Sequence, residues 1–321
     1  MNEGNFTILS FLSENLKKYS LRTAFYIKGK EYDYQCFRKR ISAIQNYLLS
    51  DVPKEVKYIG VLSCDHPDTY ASIFALWYSG KAFVPLNPLN PSWRNQEIIR
   101  QMDLKYIIHT GDPNGLDIQS ETFFLNSLSL DDRNSFPQIV SCPSDADAYV
   151  LFTSGSTGLP KGVRISRGNI EAFYSSYLAF GPLYTESDRF LQIYDISFDG
   201  SVPCYLVALC AGASVYTVPQ EEIKYLYALK LIRDHELTVL KMTPSTLNYL
   251  RPYFDRIHLP NVKVCIFGGE ALQAKIVDEW MKCVPSAMIQ NAYGPTEATI
   301  DSLMYNYNSG EYSGKTHDGI I

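Results

Sequence analysis

Residues 150–163 read Val-Leu-Phe-Thr-Ser-Gly-Ser-Thr-Gly-Leu-Pro-Lys-Gly-Val, and their side chains suit the binding of an anion. An apolar, strand-like run from Ala148 to Phe152 empties into a loop of hydroxyls and glycines. Thr153, Ser154, Ser156 and Thr157 supply donors, while Gly155 and Gly158 let the backbone turn its N–H groups inward. Lys161 adds one ammonium at the far end. Dipoles and hydroxyls for the oxygens, with one cation for the charge, match a polyphosphate. The stretch is not a Walker A loop, because Pro160 precedes Lys161 and Gly162 follows it where Ser or Thr is required. Its plain alternative is a polar surface turn.

A second stretch, Asn291-Ala292-Tyr293-Gly294-Pro295-Thr296-Glu297, combines an aromatic ring, a hydroxyl and a carboxylate in one turn. With both stretches in hand, the sequence resembles the AMP-forming adenylation family. That family includes acyl- and aryl-CoA synthetases, luciferases, the amino-acid-activating domains of nonribosomal peptide synthetases and the D-alanine–carrier protein ligases. The resemblance runs from about residue 20 to the end and includes Gly80–Pro88, a structural stretch whose usual Asp is Asn87 here.

The resemblance implies a reaction in which a carboxylate attacks the α-phosphorus of ATP and expels pyrophosphate. Such chemistry needs neutralised phosphate charge and aligned anions. By resemblance, Thr153 to Gly158 and Lys161 grip the β- and γ-phosphates, Thr296 meets the α-phosphate, and Glu297 holds Mg²⁺, a hard ion suited to oxygen ligands. Tyr293 lies against the adenine, with Asn291, Ala292, Gly294 and Pro295 beside it and Gly269, Glu270 and Ala271 on the opposite wall. Helix capping is the alternative for Glu297, and a helix-dipole contact for Glu270.

Phe198-Asp199-Gly200-Ser201 resembles the stretch in which an Asp binds the α-ammonium of an amino acid. A carboxylate there suits an ammonium and repels a second carboxylate; the alternative is an Asp that caps the helix beginning near Val202. The family's side-chain pocket carries over to Gly200, Pro203, Lys241, Ile266, Gly268, Ala292, Ile300 and Asp301. Lys241 and Asp301 stand out in that apolar set. Lys241 either meets a polar substrate group, pairs with Asp301, or points to the surface. Arg167 stands where many relatives carry His.

The implied function is ATP-dependent adenylation of an amino acid. Transfer to the phosphopantetheine thiol of a partner carrier protein, or to CoA, would follow. An acyl- or aryl-CoA synthetase and a non-catalytic nucleotide-binding remnant are the alternatives, the first opposed by Asp199.

The net charge of −5 gives no general attraction to nucleic acid or anionic membranes. Seven cysteines without paired spacing read as reduced, mostly buried thiols of a cytoplasmic protein, and no zinc-type Cys/His cluster is present in the sequence. No signal-peptide pattern and no bilayer-length apolar run is found.

Elements that position these turns follow from periodicity. Helical spacing is predicted over 7–19, 35–49, 68–78, 94–102, 169–179, 202–211, 223–235, 245–254 and 274–282. Strands are predicted over 57–63, 82–86, 106–109, 121–125, 148–152, 189–192, 214–218, 239–242, 262–267 and 288–290. Their alternation predicts an α/β fold of two doubly wound subdomains, with ligands beyond the carboxyl ends of the strands. About 55–180 forms the first subdomain, and 1–50 with 185–310 the second. By resemblance, residues 1–321 are a truncated N-terminal large domain, with the small barrel and the C-terminal domain missing; those regions would supply a ribose-binding Asp and a catalytic Lys. Residues 1–321 alone are therefore expected to turn over poorly, since losing one preorganised charge-stabilising group costs about 100- to 1000-fold in rate. ATP–pyrophosphate exchange measures this, and robust exchange would contradict it.

Overall fold

The computed structural model describes residues 6–110, 113, 116, 122–154, 158–308 and 319–320. Its first half runs α1 (Thr7–Lys18), β1 (Thr23–Ile27), β2 (Lys30–Asp33), α2 (Tyr34–Ser50), β3 (Tyr58–Leu62), α3 (Pro67–Tyr78), β4 (Ala82–Leu86), α4 (Ser92–Met102), β5 (Tyr106–His109), β6 (Phe123–Asn126), β7 (Asp147–Ser154), β8 (Pro160–Ser166) and α5 (Arg167–Phe180). Its second half continues with β9 (Arg189–Gln192), α6 (Ser201–Cys210), β10 (Ser214–Thr217), α7 (Lys224–Asp234), β11 (Val239–Met242), α8 (Pro244–Leu250), β12 (Val264–Gly268), α9 (Ala274–Cys283), β13 (Met288–Tyr293) and β14 (Leu303–Tyr307).

Two sheets result, ordered β6-β5-β3-β4-β7-β8 and β14-β13-β12-β11-β9-β10-β1-β2. Within each, the strands run parallel except for the β7–β8, β1–β2 and β13–β14 pairs. The fold is thus the two-sheet α/β arrangement that the alternation predicts. Helices α3 and α6 are buried along their whole length, as helices apolar on all sides must be. Among the described residues, no helix is long and apolar enough to cross a membrane.

The strands missing from the sequence reading are β1, β2, β8 and β14. Three of these four are sheet edges. An edge strand faces solvent on one side and carries polar residues, so no apolar run announces it. β1 joins β2 through a two-residue turn at Lys28 and Gly29, both with positive φ, and pairs with distant β10. The seven cysteines are all free, and four are buried.

One ion pair fastens α2 to the six-stranded half. Asp68, fully buried in the first turn of α3, receives the Arg40 guanidinium at 2.8 Å. Arg40 also donates to the carbonyls of Ser127 (2.6 Å) and Leu130 (2.9 Å). Arg40→Ala leaves the buried carboxylate unpaired, and urea unfolding should show a loss of about 3–5 kcal/mol. The Arg40→Leu/Asp68→Leu variant, which leaves no lone charge, should lose less than Arg40→Ala.

Candidate active site

The carboxyl ends of both sheets open onto one cleft of about 600 Å³, lined among others by Thr153, Ser154, Asn87, Arg94, Asp199 and Thr296. The six-stranded sheet contributes the β7–β8 hairpin. Thr153 and Ser154 end β7 opposite Lys161 and Pro160 of β8, so these residues belong to paired strands rather than to the loop expected from sequence. Gly158 holds a φ of +81°, in open space. Gly155, Ser156 and Thr157 lie outside the described residues. Helix α4 holds both shoulders of this hairpin: Arg94 Nη2 donates to the Phe152 carbonyl at 3.0 Å, and Gln101 Nε2 to the Pro160 carbonyl at 3.0 Å.

The eight-stranded sheet contributes the rest through its register. Lys241 pairs with Ile266, and Gly268 with Ala292, which puts these residues on one sheet face by the period of two. The other face, with Leu240, Met242, Cys265 and Phe267, fills a separate apolar core. Gly269, Glu270 and Ala271 leave β12 beside Tyr293 and Gly294 leaving β13, so the two expected adenine walls come off adjacent parallel strands. Tyr293 is 66% exposed, its ring free for a flat partner. Gly294 admits no side chain, because a Cβ there would meet the Ile300 carbonyl oxygen at 2.2 Å.

The turn that follows is strained. Thr299 and Ile300 are β-branched, yet they hold φ of +67° and +71°. Such residues avoid the left-handed region, and the conformation persists only where its surroundings impose it. Thr296 opens this turn and faces Asp199, and Glu297 lies 4.0 Å from Lys161 across the cleft. Both Lys161 (68%) and Glu297 (52%) remain largely exposed, so the contact is a loose one.

Asp199 and Gly200 precede α6, whose N-terminus carries no side-chain cap. The Asp199 side chain is therefore not occupied in capping that helix. Its Oδ2 is buried with no hydrogen-bond partner. Burial pushes the carboxyl pKa above its ordinary value, with Asp301 adding to the rise and Thr296 and Lys241 opposing it. Lys241 neither points to the surface nor stands alone: it forms a buried ion pair with Asp301. Pro203 is buried in the first turn of α6, and Ile266 and Ile300 are buried around the same region.

Glu270, expected at the adenine wall, also contacts a neighbouring helix. Its carboxylate accepts from the Ser245 N–H at 2.8 Å and from Ser245 Oγ at 3.0 Å, at the first turn of α8. Arg167 is buried, donates to the Trp77 carbonyl at 2.8 Å and sits over the Phe6 ring, far from any ligand-facing task.

Sequence reasoning missed Arg94, Asn90 and Asp195. Arg94 and Asn90 line the cleft from the six-stranded side, and only the segment after Asn87 hinted at them. Asp195 binds the two halves together: it accepts from Ser63 Oγ at 2.7 Å and from Gln220 Nε2 at 3.2 Å, and it shapes the approach to Asp199 through the Ser197 N–H at 2.9 Å.

Comparison with known proteins agrees with this layout. A profile described as AMP-binding enzyme matches residues 12–318. The nonribosomal peptide synthetase sidE of Aspergillus fumigatus is 31% identical over 93% of this chain, which covers 14% of that protein. Tyrocidine synthase 1 of Brevibacillus parabrevis is 28% identical over 96% of this chain and is itself covered over 28%. The chain thus spans under a third of the length of these relatives. Among solved structures, IdnL7 superposes with a TM-score of 0.83 at 25% identity, covering 98% of this chain and 66% of that one. The Vibrio cholerae adenylation domain AlmE, solved with glycyl-adenosine-5'-phosphate, gives 0.79 at 22% identity, with 96% and 63% covered. The profile match over nearly the whole chain, together with the two-sheet cleft, means that this chain belongs to the AMP-binding enzyme family.

Proposed function

We propose that this chain binds ATP and an amino acid in the cleft and joins them as aminoacyl-AMP. A substrate carboxylate oxygen attacks the α-phosphorus, the α–β phosphoanhydride bond breaks, and pyrophosphate carries away the displaced charge. The aminoacyl group would then pass to the phosphopantetheine thiol of a carrier protein. The observation that carries the amino-acid reading is Asp199: a buried carboxylate with one oxygen unpartnered, beside Thr296 and at the wall of the cleft. Left alone, such a group is costly, and an ammonium satisfies it.

In this reading the β7–β8 hairpin and Lys161 hold the outer phosphates, Thr296 stands at the α-phosphate, and Tyr293 offers its exposed ring to the adenine. Among the described residues, no group of three or more His, Cys, Asp or Glu gathers to hold a metal unaided. Glu297 suits Mg²⁺ in the other way, as one exposed carboxylate that shares the ion with substrate phosphates. Bound there, the ion would neutralise phosphate charge. Carrier-protein transfer and a cytoplasmic setting belong to the same proposal.

Asp199→Ala removes one charge-assisted pair, worth about 1.5–3 kcal/mol. At about 1.4 kcal/mol per decade, calorimetry with an alanyl-sulfamoyladenosine should show a ten- to hundred-fold loss, with ATP binding little changed. If Asp199→Ser keeps full affinity, the ammonium role is wrong.

The pH dependence has a definite sign. With the Asp199 pKa raised in the free protein, protonation begins above the usual carboxylate range. Affinity for the amino-acid moiety should be full at neutral pH and fall as pH drops through that raised value. Titrations across the acid range should show this fall in the wild type and its absence in Asp199→Ala.

A further inference from the structure

The cleft holds opposite charges apart. Among the described residues that line it, the charged ones are Arg94, from the six-stranded half, and Asp199, from the eight-stranded half. The two form no ion pair with each other. Other arginines pair with carboxylates, but among the described residues none pairs with Arg94. A guanidinium and a carboxylate that face one cavity without meeting suit ligands with an anionic end and a cationic end.

Arg94 is also built into place. It sits half-buried in the first turn of α4, its backbone N–H bonded to the Pro91 carbonyl at 2.9 Å. The fully buried Asn95 beside it donates to the Asn87 carbonyl at 2.8 Å and accepts from Asn90 Nδ2 at 3.3 Å. These bonds tie the start of α4 to the end of β4. Nη2 of Arg94 is committed to the Phe152 carbonyl, one residue before Thr153 and Ser154. A guanidinium presents its N–H donors around a rigid planar fork, so this one bond orients the group and leaves further donors for a ligand. Lys161, by contrast, is largely exposed and only loosely opposed by Glu297.

We infer that Arg94 is a further phosphate-binding residue of the cleft, one that holds the outer phosphates of ATP and meets the charge of the leaving pyrophosphate. The inference rests on the adenylation reading above. Its bond to Phe152 sets Arg94 at the hairpin end of the cleft, where the outer phosphates go in that reading. As the substrate carboxylate oxygen bonds to the α-phosphorus, the α–β bond breaks and its electron pair leaves on a pyrophosphate oxygen. Arg94 answers that charge with hydrogen bonds and gives up no proton, since a guanidinium stays protonated. The Phe152 carbonyl fixes its orientation beforehand, so the group need not reorganise as the charge appears. Asp199 repels a phosphate and attracts an ammonium, so the two side chains together give the substrates one direction in the cleft.

Titration calorimetry of the full chain with ATP, pyrophosphate and AMP, each with Mg²⁺, tests it without requiring turnover. Arg94→Gln keeps an N–H donor for the Phe152 carbonyl and removes the charge. It should lose about ten- to hundred-fold in affinity for ATP and for pyrophosphate, and stay within about threefold for AMP, which lacks the outer phosphates. Arg94→Lys keeps a charge without the planar fork and should fall between Arg94→Gln and the wild type. Should Arg94→Gln not fold, Arg94→Lys decides by the same comparison of ATP with AMP. ATP affinity within about threefold of the wild type in Arg94→Gln overturns the inference. An equal loss for AMP also overturns it, because Arg94 would then only hold the site together. So does Arg94→Lys binding ATP no tighter than Arg94→Gln, since a displaced hairpin and not a lost charge would be the cause. Failure of the wild type to bind ATP overturns the adenylation reading itself, and this inference with it.

Discussion

The buried ion pair between Lys241 and Asp301 is the contact on which the site's geometry depends. Asp301 ends the strained stretch 299–300, and its partner sits on β11 in the interior of the eight-stranded sheet. A turn with two β-branched residues at positive φ does not hold itself in place. The pair holds one end, and the close approach of Gly294 to the Ile300 carbonyl oxygen holds the other. Thr296 and Glu297 lie between these two anchors, and Thr296 lines the cleft. The cost of burying two charges is offset by their mutual attraction only while both remain, so the anchor is all-or-none.

The other half of the cleft is positioned by ordinary hydrogen bonds. Arg94 and Gln101 hold the two shoulders of the β7–β8 hairpin, and Ser63, Gln220 and Asp195 tie the ends of strands from both sheets. What these contacts leave open is as informative as what they close. Polar groups inside proteins are nearly always paired, and Asp199 Oδ2, at the wall of the cleft, is buried without a hydrogen-bond partner. Glu270 shows the opposite case: both of its oxygens are engaged by Ser245, and its position at the adenine wall is compatible with a purely structural task.

Much of this was legible from sequence. The alternation of apolar runs determined the α/β class and the helices, because burial on a helix face or sheet face leaves a period in the chain. The hydroxyl-rich stretch 153–162 and the turn 291–297 identified the cleft, since glycine, hydroxyl and carboxylate types at close spacing have few other uses together. Edge strands β2, β8 and β14 were not legible, because a strand open to solvent on one side needs no apolar run. Nor were Arg94 and Asp195, whose roles come from carbonyls and hydroxyls distant in the chain.

The sequence by itself therefore determined the family, the order of the helices and of the apolar strands, and the residue types at the cleft. Tertiary structure alone decided what Lys241 does, that Asp199 keeps an open oxygen instead of capping α6, and that Glu270 serves α8. The reason is physical. Periodicity and turn chemistry act between neighbours in the chain, whereas a charge buried 60 residues from its partner is defined only by what the fold brings against it.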